Sequence, residues 1–168
     1  MRKVLLSLAA VAALSVPTTA LAKDKAGRFS GTLKIGPAIE IDDIETQFSL
    51  SPEFAIALDR DYNAYLGLAG QFQFGDGWTS IAIPLFFQYD IELPVEGLYL
   101  YPKVNAGFWY LANPVEEPGF MLEPVFGIKY QAHKNFHVGG EPLGIPMYMG
   151  DGFFSAQYHF YVFGGFDI

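Results

Sequence analysis

The sequence contains no cysteine, and its 168 residues include only 10 lysines and arginines against 18 aspartates and glutamates. The lack of cysteine excludes disulfide bonds, thiolate metal sites and a cysteine nucleophile. The acidic balance argues against nucleic-acid binding, which requires a basic patch. No glycine-rich phosphate loop, nucleotide fingerprint or ordered metal-ligand spacing is present. We therefore expect no cofactor, no metal and no nucleic-acid partner, and a fold held by its own packing or by a membrane.

The start of the chain is predicted to be an export signal. Arg2 and Lys3 are positive, the stretch Val4–Val16 is almost entirely apolar, and Ala20–Ala22 has the small-x-small form of a cleavage site. The apolar run is shorter than the roughly 20 residues of a spanning helix, so a retained helical anchor is the weaker alternative. Residues 1–22 are thus expected to be a cleaved signal peptide, and 23–168 a single domain.

The rest of the chain has a period of two rather than a helical period. Apolar residues alternate with small or polar ones over runs of ten or more residues, between clusters of Gly, Asp, Asn and Pro. Such runs exceed the usual soluble strand and match the nine to eleven residues that a tilted strand needs to cross a bilayer. The predicted strands are 28–37, 47–58, 64–75, 79–89, 98–110, 119–131, 136–147 and 153–166.

The two faces of these strands differ in chemistry. In the fifth strand Val104 and Phe108 share a large apolar face, whereas Lys103 and Asn105 lie on the opposite face. A soluble barrel would carry many charges outside, but the face opposite the apolar one holds mainly Gly, Ala, Ser and Gln, as a narrow interior would. Open sheet edges are costly in hydrocarbon, so the sheet must close. The pattern predicts an all-β, closed, antiparallel, up-and-down transmembrane β-barrel of about eight strands with short loops.

A few charged residues are predicted to face the lumen. They number three of each sign, as expected for a desolvated interior in which an unpaired charge costs several kcal/mol. We expect them to form a structural charge network that plugs the lumen. Its members are Lys34, Glu53, Lys103, Glu123, Lys129 and Glu141.

An even number of antiparallel strands places both termini on the periplasmic side. The outer loops are then about 38–46, 75–78, 111–118 and 148–152, all short and acidic. Aromatic residues near the strand ends are predicted to form interfacial girdles, with Tyr89 on the inner side and the others on the outer side. The predicted interfacial aromatics are Trp78, Tyr89, Trp109, Tyr110 and Tyr148.

Prolines inside the predicted strands oppose this interpretation, because each removes a ladder hydrogen bond. They must lie at bulges or strand ends. In the seventh strand the alternation falters after Glu141, and a bulge near Pro142 would return Leu143 to the lipid side. The in-strand prolines are Pro52, Pro84, Pro102, Pro124, Pro142 and Pro146.

The last strand places Tyr158, Phe160, Val162, Gly164, Phe166 and Ile168 at every second position. Together, the export signal, the alternating strands and this last strand make the chain resemble a known group of proteins. These are the small eight-stranded outer-membrane β-barrels of Gram-negative bacteria, the OmpA/OmpX-like and OmpW-like group. The resemblance implies a monomer in the cell outer membrane, in contact with its lipid. It also implies recognition of the last strand by the barrel-assembly machinery, although this chain ends in Asp167–Ile168 where such strands usually end in Phe or Trp.

Catalytic residues are not expected. His137 and His159 are predicted to face the lumen as hydrogen-bonded interior histidines rather than metal ligands. Ser155 and His159 share a strand face about 13 Å apart, too far for a nucleophile and its base. The expected function is a structural barrel, or at most one that passes very small solutes. The alternatives are a soluble exported lipocalin-like carrier of an apolar ligand and a lipid A-modifying outer-membrane enzyme.

Overall fold

The structure, a computed structural model, describes residues 28–41, 46–59, 61, 63–75, 79–113 and 117–168. The predicted signal peptide and Trp78 lie outside the described residues, so both remain predictions. Within the described ranges, no helix is long and apolar enough to cross a membrane.

The described chain consists of strands joined by short connections. Gly70 separates β3 from β4 within one barrel strand, and Ile145 and Pro146 separate β9 from β10 within another. The two-residue β6 adds to the pairing of β7. The strands are β1 (Phe29–Glu40), β2 (Thr46–Ala57), β3 (Ala64–Ala69), β4 (Gln71–Phe74), β5 (Thr79–Tyr89), β6 (Ile91–Glu92), β7 (Leu98–Asn113), β8 (Glu117–His133), β9 (Phe136–Gly144), β10 (Met147–Gly150) and β11 (Phe153–Asp167).

These segments form a closed, antiparallel barrel of eight strands. Each barrel strand pairs with its neighbours in the sequence, and the last strand β11 returns to β1 along a register that runs from Ser30–Asp167 to Glu40–Gln157. The predicted fold class is confirmed. We call the end that carries Phe29 and Asp167 the terminal end, and the opposite end, beyond Glu40, the loop end.

The apolar face points outward and the polar face inward, as the alternation predicts. Phe54 and Phe108 on the outer wall are 67% and 79% exposed, whereas Lys103 and Glu123 on the same barrel are 2% exposed or less. Water would penalise such an apolar wall, since large exposed apolar patches are rare on soluble monomers. The polar interior also removes the basis of the lipocalin-like alternative, which needs an apolar cavity.

Pro52, Pro124 and Pro146 lie at or opposite breaks in the hydrogen-bond ladder. The carbonyl of Pro52 accepts a bond from the N–H of Gly70, at the break between β3 and β4. The carbonyl of Pro124 likewise accepts from Ile145, at the break between β9 and β10 that also contains Pro146. The strand breaks therefore accommodate prolines in a sheet that has no edge.

The irregularity of the seventh barrel strand is a bulge at the predicted place. The β9 register against both neighbours shifts just beyond Glu141. Glu141 and Gly144 are buried, while the two residues between them, Pro142 and Leu143, are both exposed. The outward Tyr158 hydroxyl donates to the Pro142 carbonyl, which satisfies an acceptor that the bulge would leave open in lipid.

Large rings in the lumen lie directly over glycines on the neighbouring strand. Tyr101 pairs with Gly127 in the register, and a Cβ at Gly127 would lie 2.2 Å from the tyrosine ring. Phe86 lies over Gly67 in the same way, again at 2.2 Å. An eight-stranded barrel has little internal width, so a glycine in the facing position gives these two inward rings the space to lie against the wall.

Candidate functional site: the barrel lumen

The middle of the lumen holds two lysines and two glutamates, which we call the central ion layer: Lys34, Glu53, Lys103 and Glu141. The Lys103 Nζ atom lies 2.9 Å from Glu53 Oε1 and 2.8 Å from Glu141 Oε1. Lys34 Nζ lies 2.7 Å from Glu53 Oε1 and also bonds Glu141. All four side chains are at most 6% exposed. The layer is neutral as a whole, which allows four charges to be buried together.

Tyrosine and phenylalanine complete the surroundings of this layer. The Tyr101 hydroxyl donates to Glu141 Oε1 at 2.9 Å. The Lys103 ammonium lies 5.1 Å from the centroid of the Phe86 ring, within the range of a cation–π contact. These rings lie over the glycines described above, so glycine placement positions the groups that surround the ion layer.

A second polar group lies on the loop-end side, centred on Glu123. Glu123 Oε1 lies 2.8 Å from His159 Nδ1, and its Oε2 accepts from Gln71 at 2.7 Å and from Asn105 at 2.6 Å. His159 Nε2 in turn lies 3.0 Å from Gln73 Nε2 and 3.3 Å from Gln157 Oε1. The histidine is therefore surrounded by side chains of the barrel itself.

Two further polar pairs lie toward the terminal end. The Lys129 ammonium bonds the Asp90 carboxylate, and His137 Nδ1 lies 3.0 Å from Asp167 Oδ2. Asp167 Oδ2 also accepts from Gln131 at 2.7 Å. Asp167 thus points inward while its neighbour Ile168 is exposed and pairs through its backbone with Phe29.

A small polar cavity separates these pairs from the central ion layer. Its volume is about 30 Å³, and its lining includes Thr32, Lys34, Glu53, Lys129 and His137. A volume of this size suits on the order of one water molecule. The lumen on this side of the ion layer is therefore polar but has no room for a larger solute.

Beyond the Glu123 group, toward the loop end, a cluster of uncharged side chains lies in the lumen. Trp109 and Tyr148 meet with ring centroids 5.3 Å apart in an edge-to-face arrangement. Met121 and Ala82 pack with them, and all four residues are buried. We call Ala82, Trp109, Met121 and Tyr148 the apolar seal. The Tyr148 hydroxyl accepts from Gln73 at 2.6 Å, which connects the seal to the histidine group.

All six lysines and glutamates predicted for the lumen have buried side chains. Four of them meet in the central ion layer, Glu123 pairs with His159, and Lys129 pairs with Asp90. The sequence interpretation missed the inward roles of Asp90 and Asp167. Asp90 lies two residues after the inward Gln88, and Asp167 two residues after the inward Gly165. The alternation of the strands therefore already predicted that both acids face the lumen.

Two of the predicted interfacial aromatics are wrong. Trp109 and Tyr148 are only 5% and 4% exposed and face the lumen. Strand β7 continues to Asn113 and pairs Tyr110 with Pro118, so Trp109 is not at a strand end as predicted and shares the inward parity of Lys103. Tyr89 and Tyr110, by contrast, are on the outer wall, 44% and 37% exposed.

The only acid–histidine pairs that could orient a catalytic base, in the part of the chain that the structure describes, are His159–Glu123 and His137–Asp167. His159 is fully buried, and its ring nitrogens contact the side chains of Glu123, Gln73, Gln157 and Tyr161. A histidine enclosed in this way can orient its neighbours but has no space for a substrate. The described residues also contain no cluster of three or more His, Cys, Asp or Glu side chains that could hold a metal ion.

Several solved structures have the same fold. The structure of Neisserial surface protein A (NspA) matches with a TM-score of 0.69 at 8% identity, and the N-terminal β-barrel domain of Pseudomonas aeruginosa OprF with 0.63 at 13% identity. Each match covers 86% of this chain and 100% of the other. The outer membrane enzyme PagL matches with a TM-score of 0.55 at 12% identity, over 83% of this chain and 99% of the other. No family model and no curated protein sequence matches. At these identities the likeness shows the fold of small outer-membrane barrels, and a shared fold does not establish a shared function.

Proposed function

We propose that this protein is an integral outer-membrane barrel with a structural role, whose lumen is closed to all but very small solutes by its own side chains. The central ion layer carries the proposal, because it fills the middle of the barrel with four mutually paired, buried charges. The adjoining cavity of about 30 Å³ leaves room for water alone.

The location follows from the outer wall. A barrel whose outward residues are mainly exposed Phe, Leu, Ile and Val is stable only where lipid covers them. We propose that residues 1–22 are a cleaved export signal and that the chain is inserted as a monomer by the barrel-assembly machinery through β11. Cell fractionation tests the location: the protein should stay with the outer membrane until detergent is added, and release with the soluble periplasmic contents would contradict it.

Planar-bilayer recording tests the closed lumen. Purified, folded protein should show no stable conductance steps in roughly 1 M KCl, where the short Debye length screens long-range surface charge. Heat-modifiable migration on a gel should first confirm that the sample is folded. Large, stable conductance steps from folded protein would contradict the proposal.

A lipid A-modifying enzyme is the second candidate. The fold of the outer membrane enzyme PagL favours it. A carboxylate orients the catalytic histidine in serine hydrolases, and the His159–Glu123 pair has this arrangement at 2.8 Å, but the buried His159 would have to become accessible to a substrate before it could act as a base. Overexpression should then alter the acylation of lipid A, and His159→Ala should abolish the change. Unaltered lipid A on overexpression of folded protein would leave the structural barrel as the function.

A further inference from the structure

We infer that the lumen is closed a second time, by the apolar seal at the loop end, and that this seal controls access independently of the central ion layer. The inference rests on the proposed closed lumen and adds the residues that determine what enters from the loop end. The two barriers differ in chemistry, because one consists of paired charges and the other of uncharged side chains.

The seal comes from neighbouring barrel strands on one side of the lumen. Ala82, Trp109, Met121 and Tyr148 come from β5, β7, β8 and β10, and each is at most 5% exposed. The Trp109 Nε1 atom donates to the Met149 carbonyl at 3.4 Å, which holds the indole against the wall. On the opposite side the buried, inward residues are also uncharged: Ala38, Gln47 and Gln157.

Gly119 leaves the space in which the indole ring of Trp109 lies. Trp109 pairs with Gly119 in the register, and a Cβ at Gly119 would lie 2.2 Å from the indole Nε1 atom and 2.4 Å from the Met149 carbonyl oxygen. The ring thus lies directly over the bare backbone of β8. No water molecule fits between the ring and this part of β8.

The two halves of the lumen therefore differ in chemistry. The polar cavity on the terminal-end side is lined by Ser30, Thr32, Gln88, Lys129 and His137 among others, and by none of the seal residues. An ion entering from the loop end passes Glu40, whose Oε1 lies 3.5 Å from Gln157 Nε2, and then meets the uncharged seal, where it must lose its hydration, as at hydrophobic constrictions in channels. Ions that pass the seal then meet the Glu123–His159 group and the central ion layer. Removal of one barrier leaves the other closed.

Ser51 provides a site to measure access behind the seal. It is inward and 1% exposed, and on β2 it lies on the loop-end side of Glu53. Its hydroxyl has no hydrogen-bond partner among the described residues, so Ser51→Cys removes no bond. Because the chain contains no cysteine, the introduced thiol is the only one present.

The experiment measures the reaction of that thiol with a charged, water-soluble methanethiosulfonate reagent in detergent-folded protein. Asp151→Cys, at an exposed turn, serves as the freely accessible reference. Ser51→Cys is combined with Trp109→Ala and Met121→Ala to open the seal, and with Trp109→Phe and Met121→Leu as the matched control. We expect the opened seal to raise the rate of thiol modification at least about tenfold, which corresponds to a barrier about 1.4 kcal/mol lower, while the thiol in the control variant reacts slowly.

The outcomes separate the two proposals. A Ser51→Cys thiol that reacts in the otherwise unaltered barrel as fast as the reference overturns the closed lumen itself. A thiol that stays slow both there and in the opened-seal variant leaves the closed lumen standing and overturns the seal. Trp109→Ala alone is tested in parallel, so that an unfolded double variant, detected by heat-modifiable migration, does not decide the result.

Bilayer recording supplies an independent second measurement. Lys103→Ala with Glu141→Ala removes one charge of each sign from the ion layer and leaves the Lys34–Glu53 pair at 2.7 Å. Two barriers in series predict that this variant and the opened-seal variant are each non-conducting and that their combination conducts. Conductance from the ion-layer variant alone, equal to that of the combination, would overturn the seal as a barrier.

Discussion

Replacement of Lys103 by Met should be among the most damaging single changes in the lumen. The Lys103 side chain is fully buried, and its ammonium is shared between Glu53 at 2.9 Å and Glu141 at 2.8 Å. Without it, two buried carboxylates depend on Lys34 alone. Removal of one partner from a buried ion pair costs roughly 3–5 kcal/mol, because the remaining charge stays desolvated and uncompensated. Urea unfolding of the barrel in lipid vesicles, followed by tryptophan fluorescence, measures the loss.

Two comparison variants make this prediction specific. Lys134→Met removes the same charge from an exposed turn and should change the free energy of unfolding by no more than about 0.5 kcal/mol. Lys103→Met combined with Glu141→Gln restores the charge balance, and the introduced amide oxygen can still accept from Tyr101, so the double variant should recover about 1 kcal/mol or more. If Lys103→Met costs no more than Lys134→Met, the central ion layer does not stabilise the barrel.

Three further changes test the facing, the glycine contacts and the bulge. Phe126→Arg on the outer wall should cost roughly 2–4 kcal/mol near the bilayer midplane in the same unfolding assay, with Phe126→Leu as its control, and an Arg variant that inserts and unfolds like the Leu variant would mean that the faces are reversed. Gly127→Ala should lower the free energy of unfolding by roughly 1–3 kcal/mol, because its Cβ would lie 2.2 Å from the Tyr101 ring. Gly164→Ala is the control and should be tolerated, since its nearest contact is at 4.0 Å. Equal losses at the two sites would refute the argument that the rings need glycine beneath them. Tyr158→Phe removes the bond to the bulge carbonyl and should cost about 0.6 kcal/mol and at most about 1.7 kcal/mol, and a stabilised variant would show that this bond is not needed in lipid.

The period-two pattern predicted the strands and their facing well, because a shift of one residue along a strand would move all its apolar side chains to the other face of the sheet. Val104 and Phe108 are outside and Lys103 and Asn105 inside, as the alternation alone indicates. The bulge at Pro142 was also predictable, since two consecutive outward residues are the direct consequence of one extra residue in a strand. Errors arose at the strand ends. Trp109 was assigned to an interface from its distance along the chain, although its parity already placed it inside.

The pairing of lumen charges could not be read from the chain. Lys34 and Glu141 are 107 positions apart, and their contact depends on the closure of β11 on β1 and on the stagger between strands. Asp90 and Asp167 look like part of a turn and of the chain end, but they prove to be the partners of Lys129 and His137. Alternation indicates the face of a residue, but it carries no information on which residues meet across the lumen.

The sequence by itself determined that apolar residues face outward, that the strands are long enough to cross a bilayer and that the interior is polar with few charges. Each of these properties follows from local periodicity and length. Only the tertiary structure decided that a neutral ion layer lies in the middle of the lumen and that Trp109, Met121 and Tyr148 pack together toward the loop end. The physical reason is that the central ion layer joins strands far apart in the chain, and that the position of both groups along the barrel depends on the stagger of the strands and on the glycines that admit large rings.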